Sequence, residues 1–126
     1  FCVMGGIFSE GIDLMGEKLI GAIIIGTGLP QIGTEREILR QYYDKKGVNG
    51  FDYAYRYPGM NKVLQSAGRV IRTQEDTGII LLLDERFAGK DYRNLFPAEW
   101  SDRENCTLNT VEEQLGSFWN RIREKN

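Results

Sequence analysis

Leu64–Arg72 reads LQSAGRVIR, inside NKVLQSAGRVIRTQEDTG at 61–78, and runs on into GIILLLDERF at 78–87. Taken as a helix at about 100° per residue, this places Gln65, Arg69 and Arg72 within roughly 60° of one another, because they are spaced i, i+4, i+7. Leu64, Ala67, Gly68 and Ile71 fall on a neighbouring face. One side of the helix therefore packs, and the next aims an amide and two guanidinium groups at one place. Glycine at 68 in mid-helix costs about 1 kcal/mol relative to alanine, which close packing against a neighbour would justify. Two fixed arginine forks plus an amide suit the spread charge of a phosphoryl group in transfer. The same pattern also fits an amphipathic helix with solvated arginines. The predicted helix spans Gly59–Thr73, Glu75–Gly78 is a polar turn, and GIILLLD at 78–84 reads as a buried strand.

Further out, Leu19–Ile25 (LIGAIII) is a second continuous apolar run. It fits a parallel strand buried on both faces, with Gly26–Gly33 as the loop leaving it. Phe1–Met4 reads as the end of another buried strand. Gly5–Asp13 is its exit loop, where glycines permit close backbone approach and Ser9, Glu10 and Asp13 are presented. Thr34 and Glu37 form a capping box that opens a helix ending at Gly47. Ile38, Leu39 and Tyr42 are its apolar stripe, with Arg36, Arg40, Lys45 and Lys46 on a solvated face. Phe51, Tyr53, Tyr55 and Tyr57 alternate at period two, as in a short strand or an aromatic patch; base stacking by these rings is the alternative use. Asp91–Phe96 reads as a helical turn before Pro97. Thr110 and Glu113 form another capping box, and Val111, Leu115, Phe118, Trp119 and Ile122 make one face of a closing helix. Strands alternating with helices imply an α/β fold, a mainly parallel sheet with flanking helices. No repeat or second domain is legible, so 1–126 is read as a single domain.

The 126 residues suffice for one domain with a core, and 41% hydrophobic and 27% charged residues are ordinary for a globular chain. No apolar run is long enough to span a bilayer as a helix, and no signal segment opens the chain; a cytoplasmic location without membrane contact is the expectation. Histidine is absent, which rules out His-based acid–base catalysis within this chain. Two cysteines cannot build a metal site alone. Net charge is −2 and the pI about 5.2, against a generally basic nucleic-acid surface. Any DNA contact would be local, through backbone N–H groups, hydroxyls and a few cations. No G-x-x-x-x-G-K-[ST] phosphate loop is present.

QSAGRVIR at 65–72 resembles the Q-x-x-G-R-x-x-R element (motif VI) of superfamily 2 helicases, and GGIFSEGIDL at 5–14 resembles their motif V in the G-x-x-S-E-G-I-D form. Together these forms, the trailing DTGIILLLDERF and the aromatic end at Phe118 and Trp119 are similar to the DinG/XPD-like DNA helicases. The resemblance implies most of a second RecA-like (P-loop NTPase-like) lobe, the C-terminal part of a larger motor starting just before motif V, with an exposed sheet edge. It implies ATP with Mg²⁺ in a cleft against a first helicase lobe, which would hold the phosphate loop and the metal-binding acidic motif. Gln65 would orient the attacking water or the γ-phosphate, and Arg69 and Arg72 would act as arginine fingers. Glu10 and Asp13 would help sense nucleotide, while Ser9 and Gly11 would face the phosphate of single-stranded DNA. An iron–sulfur cluster, carried by many members, would sit in the first lobe and not in this chain. By the same resemblance, Asp84 and Arg86 of the D-x-R-F element are structural tethers. Apart from the parent motor the chain is expected to be inactive. The alternative is a non-catalytic nucleic-acid or protein-binding module with the same fold.

Overall fold

The computed structural model describes residues 1–6 and 19–125, which form two compact units, Phe1–Leu95 and the residues from Phe96 onward. In the first unit, β1 (Gly21–Ile25) and β2 (Ile79–Leu83) pair in parallel, in the register Gly21↔Ile79 to Ile25↔Leu83. Parallel neighbours need a crossover. Here it consists of α1 (Thr34–Lys45), a π-helical turn (Asp52–Arg56) and α2 (Tyr57–Ala67). A 3₁₀ turn (Glu85–Ala88) and the single helical turn α3 (Lys90–Arg93) follow β2. Both expected strands and the α/β class are borne out.

The core holds Ile24, Tyr55, Met60, Val63, Ala67, Val70, Phe87 and Tyr92. Burial on both faces of β1 is corrected, and so is the buried reading of β2, which is half-buried with Leu83 exposed. Successive side chains of a strand point to opposite faces; Ile24 is buried, whereas Ile23 and Ile25 stay 63% and 68% exposed. Phe1–Met4 is not a strand end either. Phe1 and Val3 are exposed, and the segment closes on itself through the Gly6 N–H to the Val3 carbonyl, 2.9 Å, instead of joining the described sheet.

In α1 the expected orientation is reversed. Ile38, Leu39 and Tyr42 are exposed, while Arg36 donates to the Ala54 carbonyl (2.7 Å) and Glu37 accepts from the Tyr55 hydroxyl (2.5 Å). Glu37 is thus committed to tertiary structure, and no capping box forms: Gly33 occupies the cap, and Thr34 lies inside the helix. Gly47, at φ +81°, ends the helix as expected. Arg40 reaches Glu37 and Asp44 while staying exposed, so Arg40, Lys45 and Lys46 keep the expected solvated face and Arg36 leaves it.

FDYAYRYP is helical, not extended. Asn49 Oδ1 accepts from the N–H groups of Phe51 and Asp52 and starts the turn. The rings then pair around it: Tyr43 stacks on Tyr53 at 4.2 Å and Phe51 on Tyr55 at 5.3 Å. The aromatic-patch reading stands and the strand reading does not. Arg56 pairs with Asp52 and, at 3.4 Å, with Asp91, and its guanidinium lies 5.4 Å from both the Phe51 and Tyr92 rings. The crossover is thereby tied to α3.

In the second unit Phe96 meets Trp100 edge-on at 5.3 Å, and Arg103 donates to the Trp100 carbonyl. In α4 (Val111–Lys125), Val111, Leu115, Phe118, Trp119 and Ile122 are all half-buried, the face expected of them. Thr110 Oγ1 accepts from the Thr107 N–H, 3.0 Å away, so its hydroxyl closes the preceding turn and not the expected capping box.

Candidate functional site

The helix bearing Gln65 is shorter than its sequence implies. Gly68 caps α2, its N–H on the Leu64 carbonyl at 2.9 Å. The next two N–H groups, of Arg69 and Val70, reach back three residues, to Ser66 (3.3 Å) and Ala67 (3.0 Å). Such tightening is common at helix ends. Arg69 and Arg72 therefore project from a turn and the strand of chain after it, not from helix positions i+4 and i+7. The packed face is corrected with it: Met60, Val63, Ala67 and Val70 are buried, while Gly68 and Ile71 are exposed. A Cβ on Gly68 would approach only its own helix's carbonyls, Leu64 at 3.3 Å and Gln65 at 3.7 Å. Its use is to end the helix, not to admit a neighbour.

Gln65, Gly68, Arg69 and Arg72 line one open concavity of about 440 Å³. An amide that can donate or accept and two permanent cations there suit a polyanionic ligand such as a phosphate chain.

Sequence reasoning missed the residue that shapes the far side of this group. Asp76 Oδ2 accepts from the Arg72 N–H at 3.0 Å and the Thr73 N–H at 2.8 Å, and Thr73 Oγ1 accepts from the Glu75 N–H at 3.3 Å. Those backbone donors, Arg72 first and Thr73 next, hold the Asp76 carboxyl below its ordinary range. The signal was an Asp in a run of turn formers, TQEDTG, four residues beyond Arg72.

The start of α2 is seated by glycine. Gly59 lies against Thr27 and Gly28 of the loop leaving β1, so the helix begins on the carboxyl end of a parallel strand. Ser9, Glu10, Gly11 and Asp13 lie outside the described residues. Among the described residues, no three His, Cys, Asp or Glu side chains cluster to hold a metal ion, and no helix is long and apolar enough to cross a membrane.

Residues 1–103 match the helicase C-terminal domain family. The chain is 38% identical over 89 residues to the ATP-dependent DNA helicase DinG of Photobacterium profundum, covering 69% of this chain and 13% of that protein. It is 32% identical over 124 residues to the regulator of telomere elongation helicase 1 homolog of Caenorhabditis elegans, covering 86% and 12%. It is 33% identical over 102 residues to the general transcription and DNA repair factor IIH helicase subunit XPD of Dictyostelium discoideum, covering 78% and 13%. The chain thus spans about an eighth of the length of these relatives.

Proposed function

This chain belongs to the helicase C-terminal domain family, in the DinG/XPD-like group, and from that we propose that it is the lobe that completes the nucleotide site of an ATP-dependent DNA helicase. The observation that carries the reading is the gathering of Gln65, Arg69 and Arg72 around one concavity. ATP would be held with Mg²⁺ against a first lobe, and this chain would reach the γ-phosphate from across the cleft. In hydrolysis, water attacks the γ-phosphorus, the bond to the β-phosphate oxygen breaks, and ADP and phosphate leave. Gln65 would orient the water or the γ-phosphate. Arg69 and Arg72 would neutralise charge that grows on the transferring oxygens, a contribution worth about 10³–10⁵ in rate for an arginine finger.

With the two halves of the site on different lobes, hydrolysis would open and close the cleft. Ser9 and Gly11 would carry that movement to the phosphates of single-stranded DNA, with Glu10 and Asp13 linking them to the nucleotide. A cytoplasmic location goes with this reading. A non-catalytic binding module is the competing use of the same fold. Its sequence support was the tyrosine run, and the pairing of Tyr43 with Tyr53 and of Phe51 with Tyr55 commits those rings to one another.

The test is ATP hydrolysis stimulated by single-stranded DNA in the full-length protein, wild type against Arg69→Ala. A fall of about 10³-fold or more with the fold intact supports the finger role. Unchanged turnover returns Arg69 to a solvated surface, and absence of turnover in the wild type favours the binding module.

A further inference from the structure

We propose that Asp76 is a positioning residue for the nucleotide site, fixing the backbone from which Arg72 projects; this rests on the function proposed above. Arg72 lies five residues beyond the end of α2, outside the helical bonding that orders Gln65. An arginine on an irregular segment loses its aim unless its backbone is held. The Arg72 N–H and the Thr73 N–H both end on one oxygen of Asp76, at 3.0 and 2.8 Å. The Asp76 N–H in turn reaches the Thr73 carbonyl at 3.3 Å. The turn is thus closed from both directions around Thr73, and the carboxylate sits at its centre. Asp76 does not line the concavity itself. It acts on the backbone of a residue that does, and the turn it closes leads directly into β2, where the Ile79 N–H bonds the Ile20 carbonyl at 3.0 Å. Arg72 is held between a capped helix and a strand, with Asp76 as the clamp.

Two acceptor-free variants, Asp76→Ala and Asp76→Leu, and one that keeps an acceptor oxygen, Asp76→Asn, are compared in the full-length protein with Arg72→Ala and the Arg72→Ala/Asp76→Ala pair. DNA-stimulated kcat and the KM for ATP are measured, with a thermal melt of each variant. A displacement of about 1 Å at a reacting centre costs on the order of 10²-fold. The acceptor-free variants are therefore expected to lose about 10- to 100-fold in kcat, and Asp76→Asn should recover most of that loss. Adding Asp76→Ala to Arg72→Ala should change kcat by less than about twofold, because the clamp has nothing left to aim. Independent multiplication of the two losses, or full kcat in the acceptor-free variants, would overturn the positioning role. So would failure of both acceptor-free variants to fold, which would make Asp76 a stability element. If Arg72→Ala and Arg69→Ala alone leave turnover unchanged, the nucleotide-site reading fails instead, and the clamp with it.

Discussion

Gly28 and Gly59 meet backbone to backbone. A Cβ on Gly28 would lie 2.7 Å from the Gly59 carbonyl oxygen, and one on Gly59 would lie 2.7 Å from the Thr27 carbonyl oxygen. Neither obstacle is a flexible side chain that could swing away. Gly59→Ala should therefore destabilise by about 1–3 kcal/mol, the usual cost of overpacking. Gly28→Ala should cost more, because Gly28 also sits at φ +65°, where a side chain adds roughly 1–2 kcal/mol. Gly33→Ala, with nothing within 4 Å of its Cβ, should cost the least of the three, about 0.5–1 kcal/mol, because alanine is a poorer N-cap than glycine. Urea midpoints of the three variants check the order.

Gly50 makes a closer approach. Its Cβ would fall 2.0 Å from the Arg40 carbonyl oxygen, and its N–H donates to Asp44 Oδ1 at 2.8 Å. Gly50→Ala must push the π-helical segment off α1, and should cost more than Gly59→Ala. It should also weaken the near-ultraviolet circular dichroism of the Tyr43–Tyr53 stack, whose two rings belong to the separated elements. Asp44→Ala keeps the space and removes the bond together with the exposed Arg40 ion pair, which adds little, so its loss should be about 1 kcal/mol.

These approaches mark where sequence reading stopped. Ile24 and Leu82 lie in continuous apolar runs that read as buried strands; the strands form and pair in register, with Ile24 buried and Leu82 half-buried. Gly47 and the apolar face of α4 were legible for the same reason: local chemistry decides them. The α1 orientation was not. Hydrophobic periodicity predicts Ile38 and Tyr42 inward, but Arg36 and Glu37 find specific partners on Ala54 and Tyr55, distant in sequence and invisible to periodicity. For FDYAYRYP the aromatic-patch reading held and the strand reading did not, since period-two aromatics are strand-like only with a neighbouring strand. In the candidate site, Gln65, Arg69 and Arg72 could be named from spacing, but the helix carrying them could not be delimited. Gly68 looked like a helix interior position and is a terminus. Asp76 was passed over because a turn aspartate announces its backbone partners only once the turn is seen.

The Tyr55 hydroxyl and the Glu37 carboxylate, 2.5 Å apart, join the π-helical segment to α1. The hydrogen bond to Glu37, then burial, raises the Tyr55 pKa above its ordinary 10.0. A raised pKa in the folded state means that stability from this bond is complete below pH 10 and is lost as pH climbs through the folded value. Tyr55→Phe should lower the melting temperature at neutral pH, leaving Glu37 short of a donor. The gap between variant and wild type should shrink above pH 10, and a gap independent of pH would assign the loss to packing alone.

Asp84 supplies the opposite case. Its carboxylate accepts from Arg86 three times, from Nε at 2.8 Å, from Nη2 at 2.7 Å and from the N–H at 3.0 Å. The last bond caps the 3₁₀ turn that inserts Phe87 into the core beside Tyr92, 5.9 Å between ring centroids. The Arg86 side chain foremost, and its N–H next, hold the Asp84 carboxyl below its ordinary 3.8. A lowered folded-state pKa gives stability that is present above pH 3.8 and lost as pH falls through the folded value. Asp84→Ala should cost about 0.5–2 kcal/mol at neutral pH, as for a lost cap. Arg86→Ala should cost less, since Arg86 is half exposed and the cap to its N–H survives. Asp84→Asn should keep most of the cap yet flatten the acid limb of the stability curve below pH 3.8. Denaturation midpoints from pH 2 to 7 for the three variants separate the cap from the ion pair: if Arg86→Ala proves as damaging as Asp84→Ala, the guanidinium and not the capped turn is what seats Phe87.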